Sequence, residues 1–206
     1  MATVLDPQWI IAAVLFRIAA GLDYVVATIR GKALPNPVTW LLWGLSPLLA
    51  FFAQIQKTIE PTAWVTLALS IGPLVVFFIA ITRKHRWKVS WLDIVCGICA
   101  GTGLLLWQMT SEPVMALVFG IAADILGGVP TVVKTWAVPG SEKATAYFLS
   151  MVSMVITLFT IHSWSFLSAG FPLYILLINS VLFLLSATKV GPKIAKILDN
   201  TTVRHR

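Results

Sequence analysis

The sequence predicts an all-α integral membrane fold of seven transmembrane helices, arranged as two parallel three-helix repeats joined by a linker helix. Three observations carry this. Hydrophobic residues make up 58% of the chain and charged residues only 11%, against about 25% charge in a soluble domain, and mean hydropathy is +0.90. Seven apolar runs approach the roughly 20 residues that span a bilayer as a helix. Polar landmarks in the first run recur, in order, in the fifth.

The runs are bounded by charges and prolines, at about 9 to 29, 37 to 56, 61 to 82, 90 to 108, 113 to 134, 143 to 162 and 165 to 188. The first follows MATVLDPQW, which has neither a basic n-region nor a small-residue cleavage site, so it is read as a retained helix rather than a signal peptide. Residues 1–88 then form the first triple-helix bundle, 89–110 the linker helix, 111–190 the second bundle and 191–206 a basic tail. Between the runs there is no room for a soluble domain of ordinary size.

The net charge of +7 is distributed by side of the membrane and implies no nucleic-acid partner. Numbering the aqueous segments alternately, one side collects Arg30, Lys32, Arg83, Lys84, Arg86, Lys88, Lys134, Lys143 and the tail's Lys189, Lys193, Lys196, Arg204 and Arg206, and the other only Lys57. The positive-inside rule makes the basic side cytoplasmic, with the N-terminus outside and the C-terminus inside. Tryptophans concentrate at headgroup level, and Trp9, Trp64, Trp107 and Trp164 fall at the expected outer ends, with Trp40, Trp87, Trp91 and Trp136 at inner ends. Trp43 is deeper and is read equally as an anchor or a ligand-stacking ring.

The first run contains RIAAGLDYVVATIRGKALP (17–35) and the fifth VFGIAADILGGVPTVVKTWAVP (118–139). Aligned, Asp23 pairs with Asp124, Arg30 with Lys134 and Pro35 with Pro139. Helices 1 to 3 then lie over helices 5 to 7 in the same orientation, as parallel repeats with the fourth helix as connector.

Asp124 sits near the centre of its run. A carboxylate at bilayer depth costs at least about 2.5 kcal/mol on insertion scales, so it is expected to face protein, water or a ligand. Arg17, too deep to reach the interface comfortably, is expected to pair with an aspartate, and Arg30 lies seven residues beyond Asp23 along one face. Ser46 and Asn179 fall near the centres of their helices. Interhelical hydrogen bonding is their default role, with ligand contact the alternative. Pro47, Pro73, Pro130, Gly127 and Gly128 weaken their helices locally, as moving elements require, although such residues are also ordinary in membrane helices.

With its repeat, the chain resembles the seven-helix, three-plus-one-plus-three superfamily that includes the SWEET sugar transporters, the PQ-loop proteins and the PnuC vitamin transporters. The sharpest local likeness is GGVPTVVKTW (127–136), similar to the proline segment of PQ-loop repeats with Thr131 in place of Gln. GKALPNPVTWLLWGLSPLLAFFAQ (31–54) also resembles a stretch of small bacterial membrane proteins, a likeness that brings no activity with it. The resemblance implies a transporter in a bacterial inner membrane, moving a small polar solute through a midplane site by alternating access. Pro130 would be the hinge proline, and Asp23 and Asp124 would face the solute from the two halves. Substrate contacts are then expected from Asp124, Asp23, Trp43, Asn179 and Ser46, with Arg17 and Arg30 as charge partners and no cofactor.

Several rivals are weighed against this. Cys96 and Cys99 form a CGIC motif without a second pair or a nearby His, so close packing is favoured over metal binding. Gly97 and Gly101 beside them make a small-xxx-small surface that suits docking within one chain or in a homo-oligomer. His85, His162 and His205 do not converge with a nucleophile, so an enzyme is not expected. SATKVG (186–191) resembles the surroundings of a retinal-binding lysine, but Pro192, Lys193 and Lys196 put Lys189 at the surface. The serious alternative is a non-transporting receptor or assembly factor on the same fold.

Overall fold

The computed structural model describes residues 5–55, 61–82, 90–109 and 112–194. These residues form seven α-helices and one 3-10 turn: α1 (Trp9–Ile29), α2 (Pro37–Ile55), α3 (Pro61–Thr82), α4 (Trp91–Met109), α5 (Pro113–Ala137), the turn Pro139–Ser141, α6 (Ala144–Phe159) and α7 (Phe166–Thr188). No strand occurs among the described residues. Within α1, α3, α5 and α7, spans of at least 20 residues are long and apolar enough to cross a membrane, while the qualifying stretches of α2, α4 and α6 are shorter. With the composition, this makes the chain an α-helical integral membrane protein. The basic loop at 83–88, the tail from 195, Lys57, Trp87 and the side chains of Trp107 and Gln108 lie outside the described residues.

Local chemistry fixes the helix ends. Pro37 and Pro113 open α2 and α5, where the missing N–H has no helical partner to lose. Asn36 Oδ1 accepts from the backbone N–H groups of Val38 (3.0 Å) and Thr39 (3.4 Å) at the start of α2, and Ser90 and Asp93 make reciprocal capping bonds at the start of α4. At α7 Ser165 and Ser168 form a capping box. α1 stops in a Schellman pattern: Lys32 N–H donates to Ala27 C=O (2.8 Å), Gly31 N–H to Thr28 C=O (3.1 Å), and Gly31 takes φ 68°. Lys189 closes α7 in the left-handed region at φ 55° and is exposed, beyond the apolar helix and clear of the interior.

α3 packs against both α1 and α2, and α7 against both α5 and α6. The two groups meet where α1 packs on α6 and α2 on α5. Exchanging α1 with α5, α2 with α6 and α3 with α7 maps each of these contacts onto another. α4 lies outside, on α5 and more lightly on α2.

Two apolar clusters mark the ends of the bundle. Ala13, Val65, Leu117 and Phe171, from early turns of α1, α3, α5 and α7, meet Ala50 and Met154 from late turns of α2 and α6. At the other end Tyr24, Val76 and Leu182 meet Trp40, Ala146 and Tyr147. Successive helices of the two groups therefore alternate in direction. Because lipid is as apolar as these side chains, their cohesion comes from close packing rather than from escape from water.

Gly127 and Gly128 permit a close approach of α5 to α2. A Cβ on Gly127 would lie 2.7 Å from Leu42 Cδ1 and 2.8 Å from Leu42 Cβ, and one on Gly128 3.2 Å from the Trp43 ring. α5 rests on α2 through these two bare backbone positions.

Candidate functional site

Between the two groups lies a cavity bordered by all the α-helices except α4. Its unoccupied space is about 590 Å³ with its open mouth included. Arg17, Ala20, Gly21 and Tyr24 border it from α1, Trp40, Trp43 and Pro47 from α2, and Leu69, Gly72 and Pro73 from α3. Asp124 enters from α5, Ala146 and Tyr147 from α6, and Ile175, Ile178, Asn179 and Leu182 from α7.

Asp124 is the buried carboxylate of this cavity, 1% exposed. Its Oδ2 accepts from the Tyr174 hydroxyl at 2.7 Å, and its backbone carbonyl accepts from Trp43 Nε1 at 3.2 Å. Ser46 faces the same carboxyl group, yet neither Ser46 Oγ nor Asp124 Oδ1 has a hydrogen-bond partner among the described residues. A buried acceptor left open in this way is costly in a closed protein interior.

Arg17 borders the cavity but does not form the expected ion pair with an aspartate. Its Nη1 donates to Ser150 Oγ at 2.9 Å and its Nη2 to the Leu69 carbonyl at 3.4 Å. Both acceptors are neutral, and the charge of Asp124 acts on it only across a gap.

Asp23 is not at the cavity. It accepts from the Thr145 hydroxyl and lies 3.7 Å from Lys143 Nζ, half-buried where α1 meets the start of α6. Its ion-pair partner is thus Lys143, whereas Arg30 is exposed at the end of α1. The reason is register. Asp23 stands six residues before the end of α1 and Asp124 thirteen before the end of α5, a difference of about two turns. Counted from the helix ends, Arg17 is level with Asp124.

The other expected residues divide between the cavity and the packing around it. Trp43, Pro47, Pro73 and Asn179 line the cavity. Asn179 Nδ2 donates to the Ile175 carbonyl at 2.7 Å, the local bond that a polar residue in a membrane helix often makes. Pro130 is buried in α5 beside Thr131, whose hydroxyl donates to Thr39 Oγ1 at 3.1 Å. Trp40 is not a surface anchor but 6% exposed, its ring 4.2 Å from that of Tyr24 and 5.5 Å from that of Trp43. Trp9, Trp64, Trp91, Trp136 and Trp164 are exposed as interfacial residues would be. Cys96 is buried, Cys99 exposed, and both are free thiols.

Sequence reasoning missed the polar cluster beneath the cavity. Glu142 falls between the fifth and sixth apolar runs, where a surface position is expected, yet it is 6% exposed. Its Oε2 accepts from the hydroxyls of Tyr24 and Tyr147, each at 2.6 Å, and Lys134 Nζ is 2.5 Å from Oε1. Lys134 also donates to the Leu34 carbonyl, and Leu34 N–H donates to the Ser141 carbonyl at 2.9 Å. Asp93, likewise missed, accepts from Asn36 Nδ2 and ties α4 to the start of α2. The one available signal was that both acids begin or adjoin apolar runs. Among the described residues no group of three His, Cys, Asp or Glu side chains gathers as a metal would require.

No protein-family model, curated protein or solved structure matches this chain. The fold and site define an α-helical integral membrane protein with a polar-centred internal cavity.

Proposed function

We propose that the chain is a seven-helix transporter of the three-plus-one-plus-three plan, moving a small polar solute through the cavity between its two triple-helix bundles. In this reading all the α-helices span the membrane, the N-terminus is outside, and the basic face is cytoplasmic, in a bacterial inner membrane. The SWEET and PQ-loop resemblance rests on the same plan. Support comes from the exchange relation among helix contacts, which parallel repeats about an axis along the membrane normal would produce.

The single observation that carries the reading is the position of Asp124. It borders the cavity where the two bundles meet, with one carboxylate oxygen unpartnered, and intramembrane acids left open toward a cavity mark solute or ion pathways. Rocking one bundle against the other would expose this group to each side in turn.

The test is flux. Purified protein is reconstituted into liposomes, incubated with a metabolite extract, and the lumen is analysed by mass spectrometry. One or a few polar solutes should accumulate over protein-free liposomes and over liposomes carrying Asp124→Asn. Binding of a metabolite without accumulation would instead identify a receptor on this fold.

A further inference from the structure

We propose that the cavity takes a small zwitterion, with a compact anionic group against Arg17 and a protonated amine against Asp124, on an apolar or aromatic body. The inference rests on reading the cavity as a solute site and names the solute's chemical class. It starts from an anomaly of charge. Two opposite charges border one buried space, from α1 and α5, and among the described residues neither makes an ion pair. Side chains as long as Arg normally close onto a nearby carboxylate when nothing else belongs between them. Here each is held back by neutral groups: Arg17 by Ser150 Oγ and the Leu69 carbonyl, Asp124 by the Tyr174 hydroxyl.

What remains open on each is complementary. Arg17 uses two of its five N–H donors in these bonds, leaving donors for an anionic group. Among the described residues Asp124 Oδ1 makes no bond of hydrogen-bond geometry and has only the neutral Ser46 hydroxyl beside its carboxyl group, and an ammonium supplies a donor together with the opposite charge. The cavity's own charge is zero when both residues are ionised, so a net-neutral guest with two separated charges compensates both. A simple cation would satisfy Asp124 and leave Arg17 facing a like charge, and a simple anion would do the reverse. An uncharged polyol would compensate neither.

The remaining wall decides the body. Trp40, Trp43, Tyr24 and Tyr147 present rings, and Leu69 and Ile178 are aliphatic, a surface for an apolar or aromatic group rather than a heavily hydroxylated one. The rings nearest Asp124 also favour an ammonium there, through cation–π attraction.

The experiment compares guests with one body and different charges. L-phenylalanine, phenethylamine and 3-phenylpropionate form one set, and L-leucine, isoamylamine and 4-methylpentanoate a second for a smaller space. Each is titrated at neutral pH into purified protein, with heat and thermal shift as readouts. In at least one set the zwitterion should bind about tenfold more tightly than either ion. Asp124→Asn should lose that advantage and come to prefer the acid, while Arg17→Gln should come to prefer the amine. If Arg17→Gln does not fold, Arg17→Lys keeps the charge and should retain preference for the zwitterion.

Equal or tighter binding of the amine or acid by the unaltered protein would overturn the proposal, as would binding of glucose with no response to either zwitterion. A zwitterion that binds with the reciprocal pattern but is not accumulated by proteoliposomes leaves the proposal standing and overturns transport. Accumulation of an uncharged or singly charged solute does the opposite.

Discussion

The Tyr24 hydroxyl donates to Glu142 Oε2 over 2.6 Å, joining residues 118 positions apart in the sequence. The same oxygen receives Tyr147, and the other faces Lys134. A buried carboxylate is tolerable when donors and a cation stand against it, and Glu142 has two hydroxyl donors on Oε2 and the Lys134 ammonium beside Oε1, which makes no hydrogen bond among the described residues. The cluster fastens α1, α5 and the start of α6 under the cavity.

Glu142→Gln should therefore destabilise the protein substantially. It leaves Lys134 uncompensated, and breaking a buried pair by removing one partner costs about 3–5 kcal/mol. Tyr24→Phe removes a single bond to a charged group, worth about 1.5–3 kcal/mol, and should lower the melting temperature less. Scanning fluorimetry in detergent orders the variants. Equal melting temperatures for Glu142→Gln and wild type would contradict the burial of this group.

Gly127→Ala should lower the melting temperature more than Gly128→Ala. At Gly127 the new methyl meets Leu42 Cβ, close to the α2 backbone, at 2.8 Å, and overpacking of this kind costs about 1–3 kcal/mol. At Gly128 the nearest atoms belong to the Trp43 ring, 3.2 Å away, a contact relieved by a small ring shift. A second substitution, Leu42→Ala, should recover part of the loss at Gly127, and absence of any recovery would show that α5 and α2 do not meet there.

The orientation is tested by thiol labelling in a background with Cys96 and Cys99 replaced. Single cysteines at Lys143 and Lys84 should be protected from an impermeant reagent in intact cells, while one at Thr58 should react. Labelling of the first two from outside would reverse the topology.

The cysteine-free background is itself a prediction. Cys96 and Cys99 are unlinked, and exchange of small residue for small residue preserves close helix approach. Cys96→Ala with Cys99→Ala should leave the melting temperature within a few degrees of wild type. Metal lost from the purified protein by this exchange would give the CGIC motif a role beyond packing.

The extents of the helices were legible because they depend on composition over some twenty residues. The run 61–82 coincides with α3, and the run 113–134 falls three residues short of the end of α5, where Lys134 lies inside the helix instead of ending it. Which polar side chains meet was much less legible. Matching Asp23 to Asp124 by likeness of residue type misplaced Asp23 by about two turns, since apolar filler gives an alignment no register. Trp40 stands early in α2, where its position suits an interfacial ring, and it is the packing of Tyr24 against it that buries it. Glu142 could not be ranked from the sequence, because its burial depends on Tyr24, far away in the chain.

The two ends of the bundle are closed by different physics. Around Ala13, Met154 and Phe171 apolar contact prevails, with the Ser153 hydroxyl donating to the Ala13 carbonyl at 2.7 Å as a neutral bond between α6 and α1, so their separation can proceed largely by sliding, through a continuum of partly loosened arrangements. Around Glu142 the bonds are directional and share one acceptor. Losing one weakens the case for the others, because the exposed charge then draws water. Parting at the first end should therefore be gradual and sensitive to lipid packing, and parting at the second abrupt, with few intermediates.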